Sequence, residues 1–308
     1  MIETICADME VKVIDLKFQG IPGVIAAFLV SGPDGNVLIE TGPESTRPAL
    51  LEALCGHGVE ARDLAGVFVT HIHLDHAGAA GWFAGQGVPV FVHEKGARHL
   101  IDPSRLIESA RMVYGARFDA LWGAMAPAPG NRVHAISDGE VIHLAGLRIE
   151  AIATPGHAFH HHAYSIAGDL FSGDAAGARL GGSNYLSVTS APPQFDLPHT
   201  IASIERLREL CPQRLFLTHF GIVREPDAHL LAYRDAVDMN VEFIRQRMAE
   251  GFDAASLQVA YEAFQLEQAF RLGVSPEQWR CYEAVNGAAM CAEGIRLYWV
   301  KRREEAES

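Results

Sequence analysis

The chain has 308 residues, 49% of them hydrophobic and 20% charged, enough for one large domain or two small ones around a sizeable core. Lys and Arg number 25 against 38 Asp and Glu, and the resulting net charge of −13 repels phosphate backbones and anionic membranes, which excludes nucleic acid as an expected partner. The longest apolar run, Val24–Val30, falls far short of the ~20 residues a membrane helix needs, and Met1–Asp8 lacks the basic start and apolar stretch of a secretion signal, so a soluble, cytoplasmic protein is expected.

In chain order, short β-branched or apolar runs between Gly, Pro and Asp punctuation predict strands at Val11–Phe18, Val24–Val30, Asn36–Glu40, Gly66–Thr70 and Val88–Val92, then at Leu147–Ala153, Ala163–Ala167, Asp169–Ser172 and Arg214–Thr218. Apolar residues at three- and four-residue spacing predict helices among them at Ser45–Cys55, Ala77–Ala84, Glu94–Leu100, Ser104–Met125 and Pro198–Leu210. From Pro226 onward strand signals end, and three helices are predicted: Ala228–Glu250, Ala254–Leu272 and Pro276–Arg303. The last opens on Ser275, Pro276 and Gln278, a capping-box arrangement that satisfies orphan backbone donors. The pattern is α/β of the α+β kind, with a catalytic domain expected over 1–224 and an all-helical subdomain over 225–308. Five scattered cysteines, Cys6, Cys55, Cys211, Cys281 and Cys291, form no Cys-x-x-Cys pair and read as buried thiols.

Histidine is the unusual component: of 15, twelve fall between His57 and His162. The segment Thr70-His71-Ile72-His73-Leu74-Asp75-His76 leaves a predicted strand, where alternate side chains share a face, so His71, His73 and Asp75 converge. The turn into the following helix brings His76 toward the same cavity. Imidazoles with a carboxylate suit zinc, iron or manganese. From this composition the His-x-His-x-Asp-His pattern has a chance of about two in a thousand.

With these residues the chain resembles the metallo-β-lactamase superfamily of hydrolases. Thr154-Pro155-Gly156-His157, Ser172-Gly173-Asp174 and Leu217-Thr218-His219 match that family's later landmarks, and the resemblance spans roughly residues 11–224. It implies a four-layer αββα sandwich with two metals at one edge, here followed by a C-terminal helical extension. It further implies that His71, His73 and His157 hold the first metal, that Asp75, His76 and His219 hold the second, and that Asp174 bridges them. Seven ligands leave coordination positions open, as a catalytic site requires. Two divalent metals, zinc foremost, would then supply a metal-bound hydroxide to attack an ester, thioester or lactone carbonyl of a small molecule. Asp75 would also orient that hydroxide or relay a proton.

Glu40-Thr41-Gly42 stands where the family carries Asp-Thr-Gly, and Glu40 is read as a residue supporting a ligand imidazole. A helical insert at about 94–129 is expected over the site, with Arg111 and Tyr114 on one helix face as candidate substrate contacts, although a solvated face explains the charges equally well. His160 or His161 is a candidate hydrogen-bond donor beside the metals, on the expectation that strand alternation turns His160 and His162 opposite to His161. Lactonases of the family carry a tyrosine three residues after the bridging aspartate, where this chain has Gly177, and Tyr185 is the nearby substitute. The closest likeness is to an uncharacterised group. The alternatives are a mononuclear-iron enzyme like the persulfide dioxygenases, a phosphodiesterase, or a non-enzymatic metal-bound binding protein, and a homo-oligomer remains open.

Overall fold

A computed structural model of the chain describes residues 9–307. Cα packing divides the chain into two compact units: one runs to Ala153 and takes in His160–Gly173, the other comprises Thr154–Phe159 and everything from Asp174 onward. Among the described residues the last strand ends at Val223, just before the expected start of the helical subdomain.

In the first unit, β1 (Glu10–Asp15), β2 (Ala26–Gly32) and β3 (Gly35–Ile39) form an antiparallel meander. Helix α1 (Arg47–Gly56) leads to β4 (Leu64–Phe68), parallel to β3. Helices α2 (Leu74–Ala77) and α3 (Ala80–Gly85) lead to β5 (Val90–His93). The insert α4 (Glu94–Ile101), α5 (Ser104–Tyr114) and α6 (Phe118–Trp122) precedes β6 (Val133–Ile136), which completes a sheet ordered β1-β2-β3-β4-β5-β6. A second, antiparallel set follows: β7 (Val141–Leu144), β8 (Leu147–Ala153), β9 (His162–Ile166) and β10 (Asp169–Gly173). Its two tightest hairpins turn at Ala145-Gly146 and Ala167-Gly168, with both residues of each pair at positive φ, the handedness that matches strand twist.

The two sheets of this unit share a core. Phe28 of β2 meets Phe171 of β10 with ring centroids 5.4 Å apart, and Phe68 of β4 meets Tyr164 of β9 at 5.4 Å. Each such ring, fully buried, contributes on the order of 2 kcal/mol through apolar burial. β8 shows why the pattern specifies its register: Leu147, Ile149 and Ala151 are buried while Arg148 between them is exposed.

In the second unit, α7 (Leu197–Glu209) is capped by Asp196, whose side chain accepts from His199 N. A short antiparallel pair, β11 (Arg214–Leu217) and β12 (Gly221–Val223), leads into four helices: α8 (Pro226–Ala249), α9 (Ala254–Arg271), α10 (Pro276–Val285) and α11 (Ala288–Glu307). A buried polar knot joins α8, α9 and Tyr185: Tyr261 Oη donates to Asn240 Oδ1 at 2.6 Å, Gln265 Nε2 donates to the same oxygen, and Tyr185 Oη donates to Gln265 Oε1 at 2.6 Å. Among the described residues no helix is long and apolar enough to cross a membrane.

Several expectations are corrected. Pro276–Arg303 is two helices, because Asn286 leaves the helical region and turns its side-chain amide to Ser187 Oγ and Val188 O. Ser104–Met125 is likewise broken, at Gly115, where φ is +54. Strands β6, β7 and β12 are additional to those predicted. Of the cysteines, only Cys291 is buried among the described residues, where burial pushes its thiol up to about 12; Cys55 and Cys211 are exposed, and Cys6 lies outside the described residues.

Candidate metal centre

The first unit gathers four of the seven expected ligands where β4 ends. His71 and His73 follow the strand, with ring centroids 4.5 Å apart. His73 is the N-cap of α2, and one helical turn carries His76 back to a ring separation of 4.0 Å from His71. That turn is pinned by backbone bonds from Thr41 N and Gly42 N to His76 O, at 2.8 and 3.1 Å. Asp75 Oδ2 stands 3.6 Å from His76 Nε2.

Glu40, fully buried at the end of β3, organises these rings. Its Oε1 receives His76 Nδ1 at 2.8 Å and the Thr70 hydroxyl at 2.6 Å, and its Oε2 receives Thr70 N at 3.2 Å. Thr70 Oγ1, having given its proton to the carboxylate, accepts from His71 Nδ1 at 3.1 Å. Both imidazoles therefore carry hydrogen on Nδ1 and keep the Nε2 lone pair for a ligand role. The extra methylene of Glu40 relative to aspartate gives the carboxylate its reach.

The second unit holds the other three. Gly156, at φ +140, lies so close to the α7 backbone at Thr200 that a Cβ would stand 2.6 Å from Thr200 N, and the tight passage delivers His157. His157 Nδ1 donates to Thr189 O at 2.9 Å. Its Nε2 lies 3.3 Å from Asp174 Oδ2, while His219 Nε2 lies 3.5 Å from Asp174 Oδ1. The two oxygens of one carboxylate thus face two different imidazoles.

These donor separations, 3.3, 3.5 and 3.6 Å, exceed the usual hydrogen-bond length. They match about 3.4 Å, the edge of a tetrahedron with metal–donor bonds of about 2.1 Å. Imidazoles held at Nδ1, with carboxylates at that spacing, are a donor set that suits a divalent transition metal.

Other expected residues lie as follows. The His161 ring is 4.9 Å from that of His71, and the His160 ring is 6.2 Å from His71 and 5.8 Å from His73. The expected opposition of His160 and His161 fails because β9 begins only at His162, which stacks on His93 at 4.3 Å. Arg111 is bound within the insert, to Asp119 at 2.6 Å and over the Phe118 ring, and Tyr114 packs on Trp122. Tyr185 has its hydroxyl committed to Gln265. The tyrosine beside the ligands is Tyr233 of α8, which lines a recess with His157, Asp174, Thr189, Thr200 and Ser203. Burial holds its phenol above the ordinary tyrosine range. Sequence reasoning missed Thr70 and Tyr233. Neither was legible in local order: Thr70 faces an acid 30 residues away, and Tyr233 a threonine 44 residues away.

The metallo-beta-lactamase superfamily profile matches residues 20–219. The chain belongs to that superfamily. Among its relatives within the superfamily, a metallo-beta-lactamase fold-containing protein of Sulfurisphaera tokodaii is 28% identical over 184 residues, 57% of this chain and 69% of that protein. A hydroxyacylglutathione hydrolase of Trichodesmium erythraeum is 26% identical over 240 residues, 75% of this chain and 77% of that protein. The crystal structure of an archaeal superfamily protein from Sulfolobus tokodaii superposes with a TM-score of 0.67 at 21% identity, covering 94% of this chain and 99% of that one. A superfamily protein of Thermus thermophilus gives 0.66 at 20% identity, covering 96% and 94%. The expected fold class, the superfamily's α+β sandwich with a C-terminal helical segment, is the fold found.

Proposed function

We propose that these residues hold a pair of divalent metal ions and that the protein hydrolyses an acyl substrate. In this reading His71, His73 and His157 hold one ion, Asp75, His76 and His219 hold the other, and Asp174 bridges. The observation that carries it is the Asp174 carboxylate, with each oxygen turned to a different imidazole at 3.3 and 3.5 Å. Zinc is the first choice for this nitrogen and oxygen donor set, and iron and manganese share its chemistry. Two such ions would polarise a carbonyl and lower the pKa of water between them.

The chain's own residues do the rest. Glu40 and Thr70 hold the His71 and His76 rings in the ligating tautomer. Asp75, partly exposed at 16%, is assigned to orient the attacking water and pass its proton outward. The substrate is a small ester, thioester or lactone. Likeness to hydroxyacylglutathione hydrolases favours a thioester among these. The net charge of −13 supports a small-molecule substrate over a nucleic acid, and the reaction is proposed for the cytoplasm.

Elemental analysis of the purified protein, joined to a panel of carbonyl ester, thioester, lactone and phosphodiester substrates, tests the reading. About two metal equivalents are expected, with acyl hydrolysis that disappears in His73→Ala. Metal-free protein with full activity would overturn it, and oxygen uptake with glutathione persulfide would redirect it to iron chemistry.

A further inference from the structure

All three polar atoms of Thr189 are engaged around the second unit's ligands. Its carbonyl accepts His157 Nδ1–H at 2.9 Å, its hydroxyl donates to the main-chain oxygen of Asp174 at 2.7 Å, and its amide reaches Tyr233 Oη at 3.4 Å. Because the hydroxyl proton is given to Asp174, Thr189 Oγ1 is the acceptor in its 3.0 Å contact with Tyr233 Oη. A single chain of hydrogen bonds therefore runs from α8 to the backbone of one ligand and the ring of another.

The aim of Tyr233 is built in from a second side. A Cβ at Gly177 would stand 2.2 Å from Tyr233 Cε2 and 2.6 Å from Cδ2, and Gly177 has φ +73. The ring lies on bare backbone, three residues after Asp174, in a turn that any larger residue would strain and whose side chain would push the phenol away. A tyrosine filling core alone needs a partner for its hydroxyl but not this clearance, nor a partner that itself holds two ligands.

We propose that Tyr233 is a positioning residue: acting through Thr189, it sets the orientation of His157 and Asp174, so that α8 governs how tightly the site retains its metal. The proposal rests on the reading of those two residues as ligands.

The test compares zinc affinity, by competition with a chromogenic chelator, and thermal denaturation of the metal-free and zinc-loaded protein for the parent, Tyr233→Phe, Thr189→Val and Thr189→Ser. Tyr233→Phe keeps the ring and removes only the hydroxyl, with the bond it donates to Thr189 Oγ1 and the one it accepts from Thr189 N. It is expected to lower zinc affinity about tenfold or more and leave the melting temperature of the metal-free protein close to that of the parent. The d–d absorption of the cobalt-substituted variant is expected to shift. Thr189→Val should behave alike, and Thr189→Ser, which restores the hydroxyl, should recover parental affinity; this pair carries the test if Tyr233→Phe fails to fold. Parental affinity in both Tyr233→Phe and Thr189→Val overturns the proposal alone, as does a loss of metal-free stability with zinc binding intact. A parent protein that retains no zinc overturns the ligand assignment and this proposal together.

Discussion

Glu40 shows how one buried side chain gives direction to several others. Its carboxylate accepts from Thr70 twice and from His76 once, all inside a fully buried pocket. Glu40→Gln keeps the shape but loses the charge, and zinc affinity is expected to fall 10- to 100-fold in chelator competition, the usual effect of altering a partner of a ligand. Glu40→Ala strands the Thr70 hydroxyl and His76 Nδ1, at about 1–3 kcal/mol for each buried group, and should lower the melting temperature as well. The glutamate was legible because it occupies a landmark position after a strand. Thr70 was not, since nothing in the order of residues says that a threonine 30 positions away faces that acid.

His229 makes a separate point at the same scale. It is buried in α8 with Nε2 2.9 Å from Ala176 O, and burial above all lowers it to about 4. A folded-state value below the unfolded 6.5 means that the unfolded chain takes up a proton first as pH falls. Stability is therefore unaffected above pH 6.5 and declines between 6.5 and about 4, by on the order of 3 kcal/mol at the lower end. His229→Gln should flatten that stretch of the curve of melting temperature against pH.

The helices carry their own punctuation. Ser275 Oγ accepts from Gln278 N at 3.2 Å while Gln278 Oε1 accepts from Ser275 N at 2.9 Å, the reciprocal cap anticipated from the residues alone. Ser275→Ala is expected to cost about 1 kcal/mol in chemical denaturation, with no change in metal content. The end of that same helix was missed, although Asn286-Gly287 is a stop signal, because apolar spacing continues across it. Strands β6, β7 and β12 escaped for a different reason. At three or four residues they are too short to show a period, and their extended form is dictated by the strands they pair with. α5 was read correctly as helical, and none of its residues is buried.

For the molecule as a whole, the sequence was informative where chemistry and topology coincide. Every expected ligand lies at or just beyond the end of a strand or of a loop leaving one, so local patterning carried the fold class and most of the site. Long-range partners such as Tyr233 depend on how distant helices pack, which no short pattern encodes. Removing metal with a strong chelator should lower the melting temperature, and adding zinc back should restore it; free zinc at 1,000 times its dissociation constant is worth about 4 kcal/mol. An unchanged melt would separate the fold from any bound ion.

The chain passes from one compact unit to the other after Ala153, after Phe159 and after Gly173. On the ribosome, then, the segment bearing His157 emerges before β9 and β10 exist, and neither unit can be completed until the other has been started. Any single scission leaves at least one of them missing a native piece, so no two separately expressed fragments divide this protein along its own seams.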